Sequence, residues 1–302
     1  MKSSDFPYYR QPFEEYNHAQ SLVVPYLADD CNLVVSLQTA TGKTALAEAA
    51  FAFHLAASPI SRVCYVAPLK SICSEKVSEW SSEPQLAMRG VGVISSDHAD
   101  ERDAAMDSGL VVCTIESIDS LSRSPVNEEW LKSLSIVVID EAHFLGMEAR
   151  GAALESFLMR LSMLNPGCRL FLMSGTMSNA KDIAVWVKSL NGKATKLIRS
   201  PWKPHSVDVV YHEVDSYHSK LSVSVGVITD IAKESKVIVF VHSKATGKEL
   251  QKMLSKKKIR NVFHHSSVSA KNRTLMEEAF SNNDSLRVLI STSTLGAGVN
   301  IL

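Results

Sequence analysis

Residues 36–48 read SLQTATGKTALAE. They leave a run of β-formers, LVV at residues 33–35, and enter an Ala-, Leu- and Phe-rich stretch, TALAEAAFAFHLAA at residues 44–57. A buried strand, a tight loop carrying Gly42-Lys43-Thr44 and then a helix is the arrangement that holds phosphate. Backbone N–H groups and the positive helix end meet the phosphate oxygens, Lys43 neutralises them, and the Thr44 hydroxyl ligates Mg²⁺. The strict pattern G-x-x-x-x-G-K-[ST] asks for Gly where Leu37 stands, so the strand–loop–helix context carries the reading more than the string does. The competing interpretation is a plain helix N-terminus that happens to carry G-K-T.

Working outward, short apolar runs recur, each followed by a longer helix-like stretch. Strands are expected at residues 33–37, 63–67, 91–94, 110–114, 136–140 and 169–174. These runs are continuously apolar rather than alternating, as strands covered on both faces should be. Strand–helix alternation of this kind implies right-handed crossovers and a doubly wound parallel sheet. The rhythm loosens through SPWKPHS, residues 200–206, where two prolines bracket a lysine. Beyond it the alternation restarts, with a strand at 207–212, a helix at 217–232, a strand at 237–241, a helix at 244–254 and a strand at 287–291. The expected fold class is therefore α/β with two doubly wound parallel-sheet domains, the second incomplete. Residues 1–199 form the nucleotide-binding domain, 200–206 a linker and 207–302 the partial second domain.

A second signal supports nucleotide chemistry. In SIVVIDEAHFLG, residues 135–146, apolar β-formers deliver Asp140 and Glu141 to the C-terminal edge of the sheet, where open α/β sheets bind ligands. Asp140 is placed to hold Mg²⁺ through its water shell, and Glu141 to orient or deprotonate an attacking water. Two solvated carboxylates at a strand end are the bland alternative. The pair gains weight from sharing a sheet with the phosphate loop.

Bulk composition sets limits on partners and compartment. The chain has 302 residues, 45% hydrophobic and 21% charged, which argues against long disorder. Lys plus Arg equals Asp plus Glu at 32 each, so a nucleic acid must be gripped locally rather than by a global basic field. The five cysteines share no C-x-x-C spacing, which disfavours disulfides and zinc and fits a cytoplasmic or otherwise intracellular, reducing compartment. No uncharged stretch approaches the roughly 18 residues of a membrane span.

The ordered motifs resemble superfamily 2 DEAD/DEAH-box helicases, and within them the superkiller-like branch that includes archaeal repair and spliceosomal helicases. LQTATGKT at 37–44, DEAH at 140–143 and SGT at 174–176 look like motifs I, II and III. YNHAQS at 16–21 resembles the upstream adenine-reading segment. APLKSICSEK at 67–76 and TIESIDS at 114–120 resemble motifs Ia and Ib. VFVHSK at 239–244, FHHSSVSAKNR at 263–273 and STSTLGAGVNI at 291–301 are similar to motif IV, the His-His segment after it and motif V. The resemblance implies two RecA-like domains that use ATP and Mg²⁺ on single-stranded or partly duplex DNA or RNA. It assigns Gln20 to the base edge, Thr39, Ala40, Thr41, Gly42, Lys43 and Thr44 to the phosphates, and Gly298 to the nucleotide from the second domain. Lys43, Asp140 and Glu141 become the catalytic residues, with Thr44 and Asp140 on Mg²⁺. Pro68, Lys70, Thr114, Ser174, Thr176 and Thr292 become strand contacts, Ser174 and Thr176 also linking the γ-phosphate site to the strand. DNA is weakly favoured over RNA.

Each motif also has an ordinary structural reading. Gln20 alone would be a surface amide, and His143, His264 and His265 are as readily structural as functional. Lys256-Lys257-Lys258 reads as a solvated helix end, and the four scattered tryptophans as core. The arginine-bearing segment that the family carries next, motif VI of the Q-x-x-G-R-x-G-R kind, has no counterpart in these residues. The expectation is a helicase cut short, which binds ATP and a strand but hydrolyses weakly by itself. A non-hydrolysing nucleic-acid-binding remnant, and one half of an enzyme whose second chain supplies motif VI, are the alternatives.

Overall fold

A computed structural model describes residues 1–292 and Leu295. The chain divides into two compact units, Met1–Ser206 and Val207–Leu302.

In the first unit seven strands form one sheet: β1 (Asn32–Leu37), β2 (Arg62–Ala67), β3 (Val91–Ile94), β4 (Leu110–Thr114), β5 (Leu134–Ile139), β6 (Arg169–Ser174) and β7 (Thr195–Ser200). Their order is β3-β4-β2-β5-β6-β1-β7 and every neighbouring pair is parallel. Successive side chains of a strand point to opposite faces, and both faces here are dry. Leu33, Val35 and Leu37 of β1 join the core beneath helix Lys43–Ala57, together with Val63, Tyr65 and Ala67 of β2. Val34, Cys64, Val66, Val137 and Ile139 face the other way, against helices Ile115–Ser122, Glu148–Leu164 and Ala180–Asn191. That two-sided burial is why the strands read as unbroken apolar runs. All five cysteines are free and buried. The tryptophans are core residues: Trp80 and Trp130 are buried, and Trp186 and Trp202 pack against the two clusters. Trp202 lies in the segment expected as a linker, yet it packs on the first unit's core.

The second unit holds β8 (Val237–Phe240), β9 (Asn261–His264) and β10 (Val288–Ser291), parallel in the order β8-β10-β9. Helices Tyr217–Ile231 and Lys244–Lys256 cover one face through Leu221, Val225, Ile228, Leu250 and Leu254. A Cβ on Gly247 would come within 2.2 Å of the Phe263 ring, so glycine is what lets the Lys244–Lys256 helix settle on β9.

Two expectations need correction. Residues 207–212 form no strand; Val207, Val209, Val210 and Tyr211 are exposed, and no neighbouring strand supplies their backbone hydrogen bonds. Conversely, β7 and β9 were not anticipated. β7 is an edge strand in which only Ile198 and Ser200 are buried, and β9 is four residues, the last two of which open the His-His segment.

Candidate functional site

The parallel order brings the C-terminal ends of β1, β6 and β5 side by side, because β6 lies between the other two. Ser36 of β1 is in register with Ser174, and Ile139 of β5 with Leu172. The phosphate loop, SGT and the Asp140–Glu141 pair therefore emerge from three adjacent strands on one edge of the sheet.

The loop conformation is set by two left-handed residues, Ala40 (φ 60°) and Gly42 (φ 72°). Gly42 is needed twice over: L side chains rarely adopt that φ, and a Cβ there would sit 2.6 Å from Gln20 Nε2. Two side chains of the N-terminal segment pin the loop from behind. Asn17 Nδ2 donates to Thr41 O at 2.9 Å and Gln20 Nε2 to Gly42 O at 3.1 Å. Gln20 Oε1 accepts from Asn17 N and Asn17 Oδ1 from Gln20 N, a reciprocal capping box. Thr41 is buried and its hydroxyl donates to Gln38 O at 2.8 Å. Thr39 and Ala40 are exposed, and Thr39 faces Gly175, where a Cβ would lie 3.2 Å from the Thr39 methyl. The loop of motif I thus abuts the glycine of motif III.

Lys43 opens the helix Lys43–Ala57 and its Nζ donates to Leu37 O and Gln38 O, both at 3.3 Å. Burial lowers its pKa, and the charges of Glu141 and Asp140 work against that shift. Asp140 lies at the end of β5. Tyr65 OH donates to its Oδ2 at 2.7 Å and Glu141 N to its Oδ1 at 2.9 Å. Burial raises the Asp140 pKa, opposed by the Tyr65 hydroxyl and by Lys43. Glu141 takes a left-handed backbone (φ 49°), a strain of the sort that gathers at functional sites. His143 Nδ1 lies 3.1 Å from Glu141 Oε2 and 3.0 Å from Ser174 Oγ. Ser174 is fully buried and donates to Thr176 O at 3.2 Å, while Thr176 is exposed. His143 thereby joins motif II to motif III.

The residues fit a divalent cation with a polyphosphate. A desolvated ammonium stands among main-chain carbonyls with only partial compensation from two carboxylates. The loop carries two left-handed residues, Ala40 and Gly42, and backbone turns that use such residues are the ones that form anion nests. Thr44, in the first turn of the helix, and Asp140 are the oxygens suited to a hard cation. Among the described residues no cluster of three or more His, Cys, Asp or Glu side chains forms a metal cage. A cation with phosphate oxygens as ligands needs no such cage.

The expected strand contacts of the first unit share the same sheet edge. Pro68 and Lys70 follow β2; Pro68 is buried and Lys70 is exposed, paired with Asp97 at 2.6 Å. Thr114 ends β4 and is buried; its hydroxyl accepts from Ser117 N and donates to Ser117 Oγ, capping helix Ile115–Ser122. Thr292, in the second unit, is half-buried and its N–H donates to His264 O at 3.2 Å. Gly298 lies outside the described residues. Asn17 and Tyr65 were missed. The N-x-x-Q capping pattern at residues 17–20 could have disclosed Asn17, and a lone tyrosine in the aliphatic strand RVCYVA could have disclosed Tyr65.

Comparisons with known proteins agree with this geometry. The family profile described as DEAD/DEAH box helicase matches residues 17–183, and the one described as Helicase conserved C-terminal domain matches 219–302. The ATP-dependent DNA helicase Hel308 of Thermoplasma volcanium is 28% identical over 321 aligned residues, covering 96% of this chain and 46% of that protein. The ATP-dependent DNA helicase MER3 of Saccharomyces cerevisiae is 28% identical, covering 96% of this chain and 27% of its own length. The chain thus spans less than half the length of these relatives. Among solved structures, the DUF1998 helicase MrfA bound to DNA and AMPPNP superposes with a TM-score of 0.78 at 17% identity, over 96% of this chain and 43% of that one. Mycobacterium smegmatis helicase Lhr bound to ssDNA and AMP-PNP gives 0.71 at 22% identity, over 99% and 42%. With more than half of its residues matched by the profile and the motif I, II and III ends adjacent on one sheet, the chain belongs to the DEAD/DEAH box helicase family.

Proposed function

We propose that this chain is the motor portion of an ATP-dependent helicase or translocase acting on single-stranded or partly duplex nucleic acid, with DNA favoured over RNA. The observation that carries the reading is the convergence of Lys43, Asp140, Glu141 and Ser174 at the ends of three neighbouring strands. The relatives named as DNA helicases tip the balance toward DNA.

Each residue then has a task. The loop N–H groups and Lys43 bind the phosphates, and moving the Lys43 ammonium from carbonyls at 3.3 Å to anionic oxygens turns two long, weak bonds into charge-assisted ones. Gln20 keeps its bond to Gly42 O and presents its remaining amide proton to the base edge. Mg²⁺, when bound to Thr44 and Asp140, supplies charge neutralisation on the transferring phosphoryl group. Glu141 orients a water and accepts its proton, and its ion-pair distance from His143 ties that carboxylate to Ser174 and Thr176. Lys70 exchanges its exposed partner Asp97 for a backbone phosphate, at small cost because exposed pairs contribute little. Contacts to phosphates through hydroxyls and main chain need no net basic charge and select no sequence. ATP binding closes the two units on the strand and hydrolysis releases them.

For a polypeptide of these 302 residues slow turnover is expected, since no arginine-bearing motif VI segment is among them. Arginine fingers contribute on the order of 10³–10⁵ in rate. Steady-state ATPase with and without single-stranded DNA or RNA tests the reading, beside Mg²⁺–nucleotide binding by wild type and Lys43→Ala. Nucleotide binding that Lys43→Ala leaves intact contradicts the assigned site; fast strand-stimulated turnover contradicts the slow-turnover part alone.

A further inference from the structure

Strand β2 reads RVCYVA, and Tyr65 is its one side chain with a hydroxyl, fully buried in the sheet. A phenol in a dry core costs free energy unless its O–H finds a partner. The partner here is Asp140 Oδ2 at 2.7 Å, while Glu141 N holds Oδ1 at 2.9 Å. Two donors, one on each oxygen, hold the Asp140 carboxylate in one orientation and leave the remaining lone pairs facing outward.

The Tyr65 ring is itself held. Trp80 stands edge-on to it at 5.0 Å and 89°, and Phe51 lies 5.7 Å from Trp80 and 6.2 Å from Tyr65. Trp80 Nε1 donates to Glu48 Oε1 at 2.8 Å, and Tyr9 OH donates to Glu48 Oε2 at 3.3 Å. Glu48 and Phe51 belong to the helix that starts at Lys43; Trp80 sits in the last turn of helix Lys70–Ser81. One buried cluster therefore touches the Asp140 carboxylate, the helix of the phosphate loop and the helix that carries Lys70. Phenylalanine at position 65 would fill the same core volume, so packing alone does not call for the hydroxyl.

We propose that Tyr65 is a positioning residue for Asp140, fixing its carboxylate for the metal-bound nucleotide, and that the Tyr65–Trp80–Glu48 cluster ties this position to the helices beginning at Lys43 and Lys70. The proposal rests on the Mg²⁺–nucleotide reading of the site. Without the phenol, Asp140 must be ordered at the moment of binding, and the loss falls on the metal-dependent part of the affinity.

The test uses the full chain and a fluorescent, non-hydrolysable ATP analogue, titrated with Mg²⁺ and separately in EDTA. Tyr65→Phe is expected to keep its metal-free nucleotide affinity within about twofold while its half-saturating Mg²⁺ rises about tenfold, the scale of one hydrogen bond to a charged group. That rise is expected to vanish in an Asp140→Asn background. An unchanged Mg²⁺ requirement overturns the proposal, as does an equal loss with and without metal, or a rise that persists beside Asp140→Asn. A wild-type chain whose nucleotide binding ignores Mg²⁺ overturns the functional reading instead. A measurement on the unmodified chain stands apart from whether Tyr65→Phe folds: Mg²⁺–nucleotide, but not nucleotide in EDTA, should change an emission component that Trp80→Phe removes. No such component overturns the link to Trp80.

Discussion

Gly42 and Ala40 lie two residues apart in the same loop, both left-handed, and substitutions at them should act in opposite directions. Gly42→Ala places a Cβ at φ 72°, which costs about 1–2 kcal/mol for an L residue. The same Cβ falls 2.6 Å from Gln20 Nε2, so Gln20 must withdraw. Its bonds to Gly42 O at 3.1 Å and from Asn17 N at 3.0 Å are then strained or lost, each with a net contribution of about 1 kcal/mol. The expected loss of stability is about 3 kcal/mol, with weaker nucleotide binding because the loop is pushed out of its left-handed turn at residue 42. Ala40→Gly removes left-handed strain at an exposed position, φ 60°. After the extra freedom of glycine in the unfolded chain is set against it, a gain of about 0.5–1 kcal/mol remains. Urea denaturation followed by tryptophan emission is the assay, and all four tryptophans lie in the first unit, so the signal reports the unit that holds the loop. A Gly42→Ala protein as stable as wild type, or an Ala40→Gly protein that is less stable, would refute this account of the loop.

Other expectations concern the opposite edge of the sheet and the coupling of motifs II and III. Arg169 is buried, and it donates to Cys31 O, Leu27 O and Tyr26 O and to His54 Nε2. Arg169→Met should cost about 3–5 kcal/mol in urea denaturation, because it leaves two buried carbonyls and a part-buried one without their donor. His54 is held down to about 3 from its ordinary 6.5, first by burial and then by the Arg169 charge. The unfolded chain therefore takes up a proton near pH 6.5 that the folded chain refuses until about pH 3. Stability should fall as pH drops through that window, by up to about 1.4 kcal/mol per unit. In His54→Gln that part of the slope should disappear, and a wild-type slope retained in the variant would contradict it. His143→Ala breaks the link between Glu141 and Ser174. It should leave Mg²⁺–nucleotide affinity within about twofold while weakening the effect of a bound strand on that affinity by about fivefold, the lower end of ordinary coupling.

The sheet of the first unit was legible because buried parallel strands leave continuous apolar runs, and the segments around Val34, Val66, Val138 and Leu172 are enclosed on both faces. β7 escaped notice since only two of its residues, Ile198 and Ser200, are buried, so at the sheet edge it leaves no continuous apolar run. The stretch VDVVYH at residues 207–212 has strong β-formers, yet propensity without a neighbouring strand does not make a strand. In the candidate site, Lys43, Asp140 and Glu141, proposed to act by side-chain chemistry at a loop, were visible as motifs. Asn17 and Tyr65 act by holding others in place, and their partners are distant in sequence: Thr41 for Asn17, and Asp140 for Tyr65. Thr114 shows the converse. Its motif position pointed to a strand contact, whereas the structure also gives its hydroxyl a capping task within helix Ile115–Ser122.

If one sheet edge binds Mg²⁺–nucleotide, that binding should be coupled to a nucleic-acid strand. The most direct measurement is the anisotropy of a labelled single-stranded DNA oligonucleotide titrated with the full chain, with and without Mg²⁺ and a non-hydrolysable ATP analogue. A matched RNA and a series of salt concentrations run beside it. Strand affinity should shift about fivefold or more with Mg²⁺–nucleotide, lose that shift in Lys43→Ala and be tighter for DNA than for RNA. Strand binding that ignores the nucleotide, or no binding of either polymer at low salt, would contradict it.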